Sequence, residues 1–321
     1  MMKRFYSYSI FFVFLFAFSV SGFADSARDM LAAGRIDDAI STLNERLTSA
    51  PTDAESANLL CRAYFALDQF DRAEPNCKKA IALEPNNSRY HRWMAHVYGE
   101  KAARTNFLAA ASLAGKVREE FERAVQLNPN DVDARVDLAE FYLEAPSVIG
   151  GGFDKARAQA KLIGAMDPAR EHWVYARIAE KNHDTATAER EYHQMIEASH
   201  NDSEAWLNLA LFLRRQNRLD EVEQTLVRTS QARMSKPEVL VEVAQNLYRI
   251  GRNPVLAIQV LRRYFASGPV EEAPAFRAHY LLGSLFEKQG DKADAVREYQ
   301  DSLSLTRQFG QAQQALSRVA H

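Results

Sequence analysis

The chain is poor in the features that usually announce chemistry. It has two cysteines in 321 residues, Cys61 and Cys77, too few for a disulfide-dense small scaffold or a cysteine-built zinc module. It contains no HExxH, no GxSxG and no dinucleotide-binding glycine pattern, so nothing marks a catalytic, cofactor or metal centre. An enzyme is therefore not expected. Charge of one sign is also missing: 40 basic residues stand against 42 acidic ones, a net charge of −2. A general nucleic-acid or anionic-membrane binder carries a basic excess that this chain lacks. No stretch sustains period-two alternation, so no sheet is expected.

Long apolar runs are absent except at the start. Lys3 and Arg4 precede the uncharged run Ile10 to Val20, and Gly22 and Ala24 lie just before a cut ahead of Asp25. A basic start, an apolar core and a small-residue exit describe a secretory leader over residues 1–24. The alternative is an uncleaved anchor, which needs about 20 apolar residues; Ser7, Ser9 and the polar exit shorten the run. Without residues 1–24 the balance is 38 basic against 42 acidic. No second long apolar segment follows, so no membrane insertion is expected of the mature chain. The expected compartment is an exported one, the bacterial periplasm first, with secretion fitting the same features.

What the chain has in quantity is repetition. Small or helix-compatible residues recur at Ala39, Ala73, Val117, Ala156, Ala188, Val222, Ala257 and Ala295, in steps of 34, 44, 39, 32, 34, 35 and 38. Large residues follow four positions later in most copies, among them Leu43, Phe121, Tyr192, Leu226, Leu261 and Tyr299. An upstream slot holds Ala27, Cys61, Ala95, Ala139, Ala176, Ala210, Ala244 and Gly283, and nine of the ten prolines fall at boundaries. The tenth, Pro75, is placed in about the first turn of a helix beginning after Asp71, where a missing N–H matters least. A period near 34 with small residues at fixed places resembles the tetratricopeptide repeat. The resemblance implies an all-α, right-handed solenoid of about eight helix–turn–helix units over residues 25–309. A capping helix over 310–321 covers its end, with Ala312, Ala315, Leu316 and Val319 on one face.

Two units are overlong. About ten extra residues enter between Tyr98 and Val117, and EAPSVIGGGFD lengthens the connection before Ala156. Insertions in such stacks emerge on one face and often carry function; longer helices and a flexible turn are the simpler alternative. Gly150, Gly151 and Gly152 lack the preceding strand and following Lys-Ser or Lys-Thr of a phosphate loop. Half of the eight histidines, His172, His183, His193 and His200, share one unit, but their spacings of 11, 10 and 7 do not match metal-ligand pairs. Cys61 and Cys77 occupy the facing small and large slots of one unit. In an oxidising compartment they would form a disulfide closing a 17-residue loop, adding roughly 3 kcal/mol. The alternative is two buried thiols.

The resemblance also places a binding groove on the first helix of each unit. Its fifth and ninth positions are Asn58 and Arg62, Arg92 and His96, Val136 and Glu140, Trp173 and Arg177, Leu207 and Leu211, Val241 and Gln245, then Tyr280 and Ser284. The early end, with Arg89, is rich in hydrogen-bond donors suited to a carboxylate. The later end, Trp173, Leu207, Leu211, Val241 and Tyr280, is apolar and aromatic. The function implied is an exported scaffold that binds a protein or peptide partner in this groove. The alternatives are a structural subunit of a homo-oligomer or envelope assembly, and a polysaccharide binder using Trp93 and Trp173.

Overall fold

The structure is a computed structural model and describes residues 21–319. The leader expected over residues 1–24 falls almost wholly outside the described residues. Eight antiparallel helix pairs follow one another. The first four are α1 (Ser21–Ala32) with α2 (Ile36–Ser49), α3 (Ala54–Ala66) with α4 (Phe70–Leu83), α5 (Ser88–Ala103) with α6 (Phe107–Leu127), and α7 (Val132–Glu144) with α8 (Phe153–Gly164). The second half holds α9 (Pro168–Lys181) with α10 (Thr185–Ala198), α11 (Ser203–Arg215) with α12 (Leu219–Gln231), α13 (Glu238–Ile250) with α14 (Pro254–Ser267), and α15 (Ala275–Gln289) with α16 (Lys292–Leu305). A final helix, α17 (Gly310–Val319), packs on α15 and α16 and caps the stack. Among the described residues there is no strand. The all-α solenoid of eight units with a capping helix is as expected.

Local chemistry starts and stops these helices. Asp53, Asp131, Asp167, Asp184, Asp202 and Asp291 each accept a hydrogen bond from a backbone N–H in the first turn that follows. Each such cap is worth about 1 kcal/mol. The turn inside six units uses one left-handed residue at the same place: Gly34, Asp68, His183, Asn217, Gly251 and Gly290. His183 is thus a turn residue. Pro75 lies at the sixth position of α4, deeper than the sequence reading placed it, because the helix begins at Phe70. Its missing N–H falls on the exposed face of α4.

In the second and eighth units the small slot of the first helix meets the large slot of the second. Gly283 shows why: a Cβ there would come within 2.7 Å of the buried Tyr299 ring. The corresponding slots of the second unit hold Cys61 and Cys77, which are joined as a disulfide with a Cα–Cα distance of 5.3 Å. Most successive odd-numbered helices also touch each other, so they line the inner, concave face.

The third and fourth units carry the insertions. α5 and α6 are lengthened to 16 and 21 residues, lifting Phe107 and Leu108 to 83% and 80% exposure. In the fourth unit a 3-10 turn, Ser147–Ile149, precedes the three glycines. The Arg118 guanidinium of α6 donates to the Ile149 carbonyl at 2.9 Å, so the two insertions meet. Gly151 packs where a Cβ would lie 1.8 Å from the Ala145 carbonyl oxygen. Close packing accounts for glycine there.

The superhelix returns to its own beginning. Thr306, buried at the end of α16, donates to the Gly34 carbonyl at 2.8 Å, and the Arg307 N–H donates to Asp37 at 2.8 Å. Arg277 on α15 donates to the Ala66 carbonyl and the Asp68 carboxylate, each at 2.8 Å. Phe276, Phe309 and Ala312 share one apolar core with the first units. Gly34 fits because a Cβ there would stand 2.9 Å from the Ala275 nitrogen. The concave face is thereby folded into an enclosed turn.

Candidate partner-binding lumen

The inner helices deliver the wall of a cavity of about 630 Å³. Phe65 comes from α3, Trp93 from α5, Val241 and Tyr248 from α13, and Tyr280 from α15. A hollow of about 430 Å³ shares Trp93, Glu271 and Glu272 with it, one of about 250 Å³ shares Phe65 and Glu100, and the two hollows meet at His96 and Asp137. Trp93 stands edge-on to Phe65 and His96, and the Arg62 guanidinium lies 5.0 Å from its ring centre. These half-buried rings offer apolar contact with little conformational entropy left to lose.

Arg62 does not stand free in this wall. It forms a bidentate pair with Glu271, from the loop before α15, with Nε to Oε1 at 2.6 Å and Nη2 on Oε2. Only 13% and 16% of the two side chains remain exposed. Burial lifts the Glu271 carboxyl above its ordinary range even against the pull of Arg62. Arg92 is committed as well, to Asp137 at 2.6 Å, and His96 reaches the same carboxylate at 3.2 Å. Burial alone would raise Asp137; its contacts with His96 and Arg92 outweigh that and hold it below the usual carboxylate value.

The groove residues read from the repeat separate into two sets. Arg62, Val241, Gln245, Tyr280 and Ser284 converge on the main cavity, with Arg92, His96 and Val136 in the adjoining hollows. Closure of the turn therefore sets the early donors against the late apolar strip. Trp173, Arg177, Leu207 and Leu211 lie outside these walls. The Trp173 indole N–H donates to Asn208 at 2.9 Å, Arg177 pairs with Glu144 and Glu180, and Leu207 is buried in the core. Asn58 is 1% exposed, and neither of its amide atoms has a partner among the described residues. Glu271 and Glu272 were missed by sequence reasoning. The available signal was the 38-residue step, whose extra length is the Gly268-to-Pro274 loop.

The histidines have a structural use that the repeat explains. His91 meets Glu120 at 2.6 Å, His172 meets Glu191 at 2.8 Å and His279 meets Glu298 at 2.8 Å. Each pair joins the first helix of a unit to the second at the same repeat position. His279, Glu298 and Asp301 lie close enough to share a cation. The same His–Glu pin without a third acid occurs twice more, so packing suffices to explain it. At His91 both ring nitrogens face acceptors, Glu120 and the Pro85 carbonyl at 3.0 Å. The hydrogen bond to Glu120 leads in raising its pKa above the ordinary 6.5.

The geometry defines a class first: a helical-repeat scaffold with an enclosed concave face. Sequence profiles of the tetratricopeptide repeat match residues 30–97, and residues 176–225 and 244–313. Together these spans exceed half of the chain, which belongs to the tetratricopeptide repeat proteins. Such proteins are generally non-catalytic and act as protein-interaction scaffolds. Among solved structures, the chain is similar to yeast Tom70 with a TM-score of 0.52 at 16% identity, over 89% of this chain and 58% of that one. It is also similar to TTC0263, a thermophilic tetratricopeptide protein of Thermus thermophilus, with a TM-score of 0.50 at 18% identity, over 61% of this chain and 99% of that one. At these identities the likeness concerns the fold alone. No curated protein matches the chain. Among the described residues no helix is long and apolar enough to cross a membrane.

Proposed function

We propose that the protein is an exported scaffold that holds a partner polypeptide in the lumen formed by its inner helices. The observation that carries this reading is the convergence of Phe65, Trp93, Val241, Tyr248 and Tyr280 on one concave cavity. A cavity of about 630 Å³ lined by rings and aliphatic groups suits the side-chain anchors of an extended segment. Export rests on the leader read over residues 1–24 and is supported by the Cys61–Cys77 disulfide, which persists in oxidising compartments.

Photocrosslinking in intact cells tests the site. A crosslinking residue at Gln245, in the cavity wall, should trap a discrete partner, and one at Val255, on the outer surface, should not. Equal trapping at both positions would move the site elsewhere. Fractionation with N-terminal sequencing tests the compartment; a chain retaining residue 1 in the cytoplasm would remove the export claim. A second reading, a self-assembling subunit, draws on the exposed Phe107, Leu108 and Val148. A monodisperse monomer in solution scattering would dismiss it.

A further inference from the structure

The cavity wall combines aromatic and aliphatic groups with an unbalanced set of charges. Across the main cavity and its two adjoining hollows, eleven acidic side chains face six lysines and arginines. Five of those six cations are already committed to acids of the protein: Arg62 to Glu271, Arg92 to Asp137, Arg170 and Lys236 to Glu204, and Arg277 to Asp68. Arg249 forms no ion pair among the described residues. Against it stand four carboxylates with no ion-pair partner among those residues: Glu140, Glu238, Glu242 and Glu272.

These acids sit in an uncomfortable place. Glu140 and Glu242 are open to the cavity, yet surrounding protein pushes both carboxyls above their ordinary range, burial being the leading cause. A cation brought into the lumen would relieve that cost, whereas a carboxylate would add to it. A carboxylate would find Arg249 as the one uncommitted cation of the wall among the described residues, and to meet Arg62 or Arg92 it would have to displace Glu271 or Asp137. Rings of this wall already hold cations, with Arg62 5.0 Å from the Trp93 centre and Lys288 5.1 Å from the Tyr248 centre.

Resting on the lumen reading above, we infer that the partner segment is basic: lysine or arginine side chains neutralise the unpaired acids while small apolar residues lie against the rings. This reverses the carboxylate preference that the arginines suggest when read one by one.

Peptides of about ten residues with alternating Lys–Ala, Glu–Ala or Ser–Ala sequence serve as probes, their length spanning about 33 Å when extended. Binding is read from Trp93 fluorescence in a Trp173→Phe, Trp206→Phe background. The lysine peptide should bind about tenfold more tightly than the serine peptide, and added salt should weaken it. Glu242→Gln with Glu272→Gln should remove most of that preference while leaving the melting transition unchanged. If the glutamate or serine peptide binds as tightly as the lysine peptide, the inferred charge is wrong and the lumen stands as a site. If no peptide perturbs Trp93, both this inference and the lumen reading fail.

Discussion

The Arg62–Glu271 pair offers a direct test of the closed turn, because in an open solenoid these residues would not know of each other. Repeats in an open stack contact only their neighbours, so substitutions six units apart should add without coupling. Here two charge-assisted hydrogen bonds join α3 to the loop before α15 with both side chains mostly out of water. Hydrogen bonds to charged groups contribute about 1.5–3 kcal/mol each, while ordering a long arginine costs up to about 2 kcal/mol. The coupling expected from a double-mutant cycle of Arg62→Ala and Glu271→Ala is thus about 2 kcal/mol. Arg62→Ala alone should cost more, about 3 kcal/mol, since it strands a buried carboxylate. Its effect should shrink at low pH, where Glu271, already biased toward its neutral form by burial, takes up a proton. Urea unfolding of the four proteins measures the cycle. Spin-label distances between Ser41 and Asp301, exposed on the outer helices near the join, report whether it opens. A coupling below about 0.5 kcal/mol, the additivity limit for independent sites, with unchanged distances would refute the closure argument.

Other substitutions address separate parts of the structure. Gly34→Val should weaken the same join by roughly 2 kcal/mol or more, from a left-handed backbone and a Cβ 2.9 Å from the Ala275 nitrogen; unaltered stability would show that the join does not hold. Removing both Cys61 and Cys77 as alanines should lower stability by about 3 kcal/mol under oxidising conditions. Adding reductant to the wild type should reproduce the loss, and two alkylatable thiols in the denatured, unreduced protein would deny the bond. His91 has a raised pKa in the fold, so its contribution is fully present below the unfolded value of 6.5 and lost as pH rises through the folded value. Melting curves should therefore show wild type losing more stability than His91→Gln between mildly acidic and mildly alkaline pH; parallel profiles would contradict the pairing with Glu120. Gly283→Leu should be among the most damaging single changes, because the Tyr299 ring already occupies the space its side chain would need. A soluble, fully stable variant would show that the slot can yield.

The slots show what one-dimensional information can specify. Cys61 with Cys77, and Gly283 with Tyr299, are spaced so that a helix pair with a small-to-large contact satisfies them, and local sequence writes each turn and cap. Asp at the helix start, Gly or Asn at the left-handed turn and proline at the boundary act within a few residues. Unit number, helix type and the capping helix were therefore legible from sequence. So was the facing of Cys61 and Cys77, since both lie in one hairpin. The insertions were located too, although their meeting through Arg118 and Ile149 was not.

The lumen belongs to a different order of information. A repeat period states how each unit sits on the next, but small rotations add over eight units, and no local rule says where their sum ends. That sum brings Arg277 to Ala66, Thr306 to Gly34 and Glu271 to Arg62. Arg62, a free donor when read along the sequence, becomes the partner of Glu271 once the turn is complete, while Arg92 is taken by Asp137 of the next unit. The sequence by itself determined the units, their helices and their packing, because those rest on contacts within a unit or with its neighbour. Only the tertiary structure decided which concave residues face one another across the lumen and that Arg62 and Arg277 are paired, because both depend on contacts more than 200 residues apart.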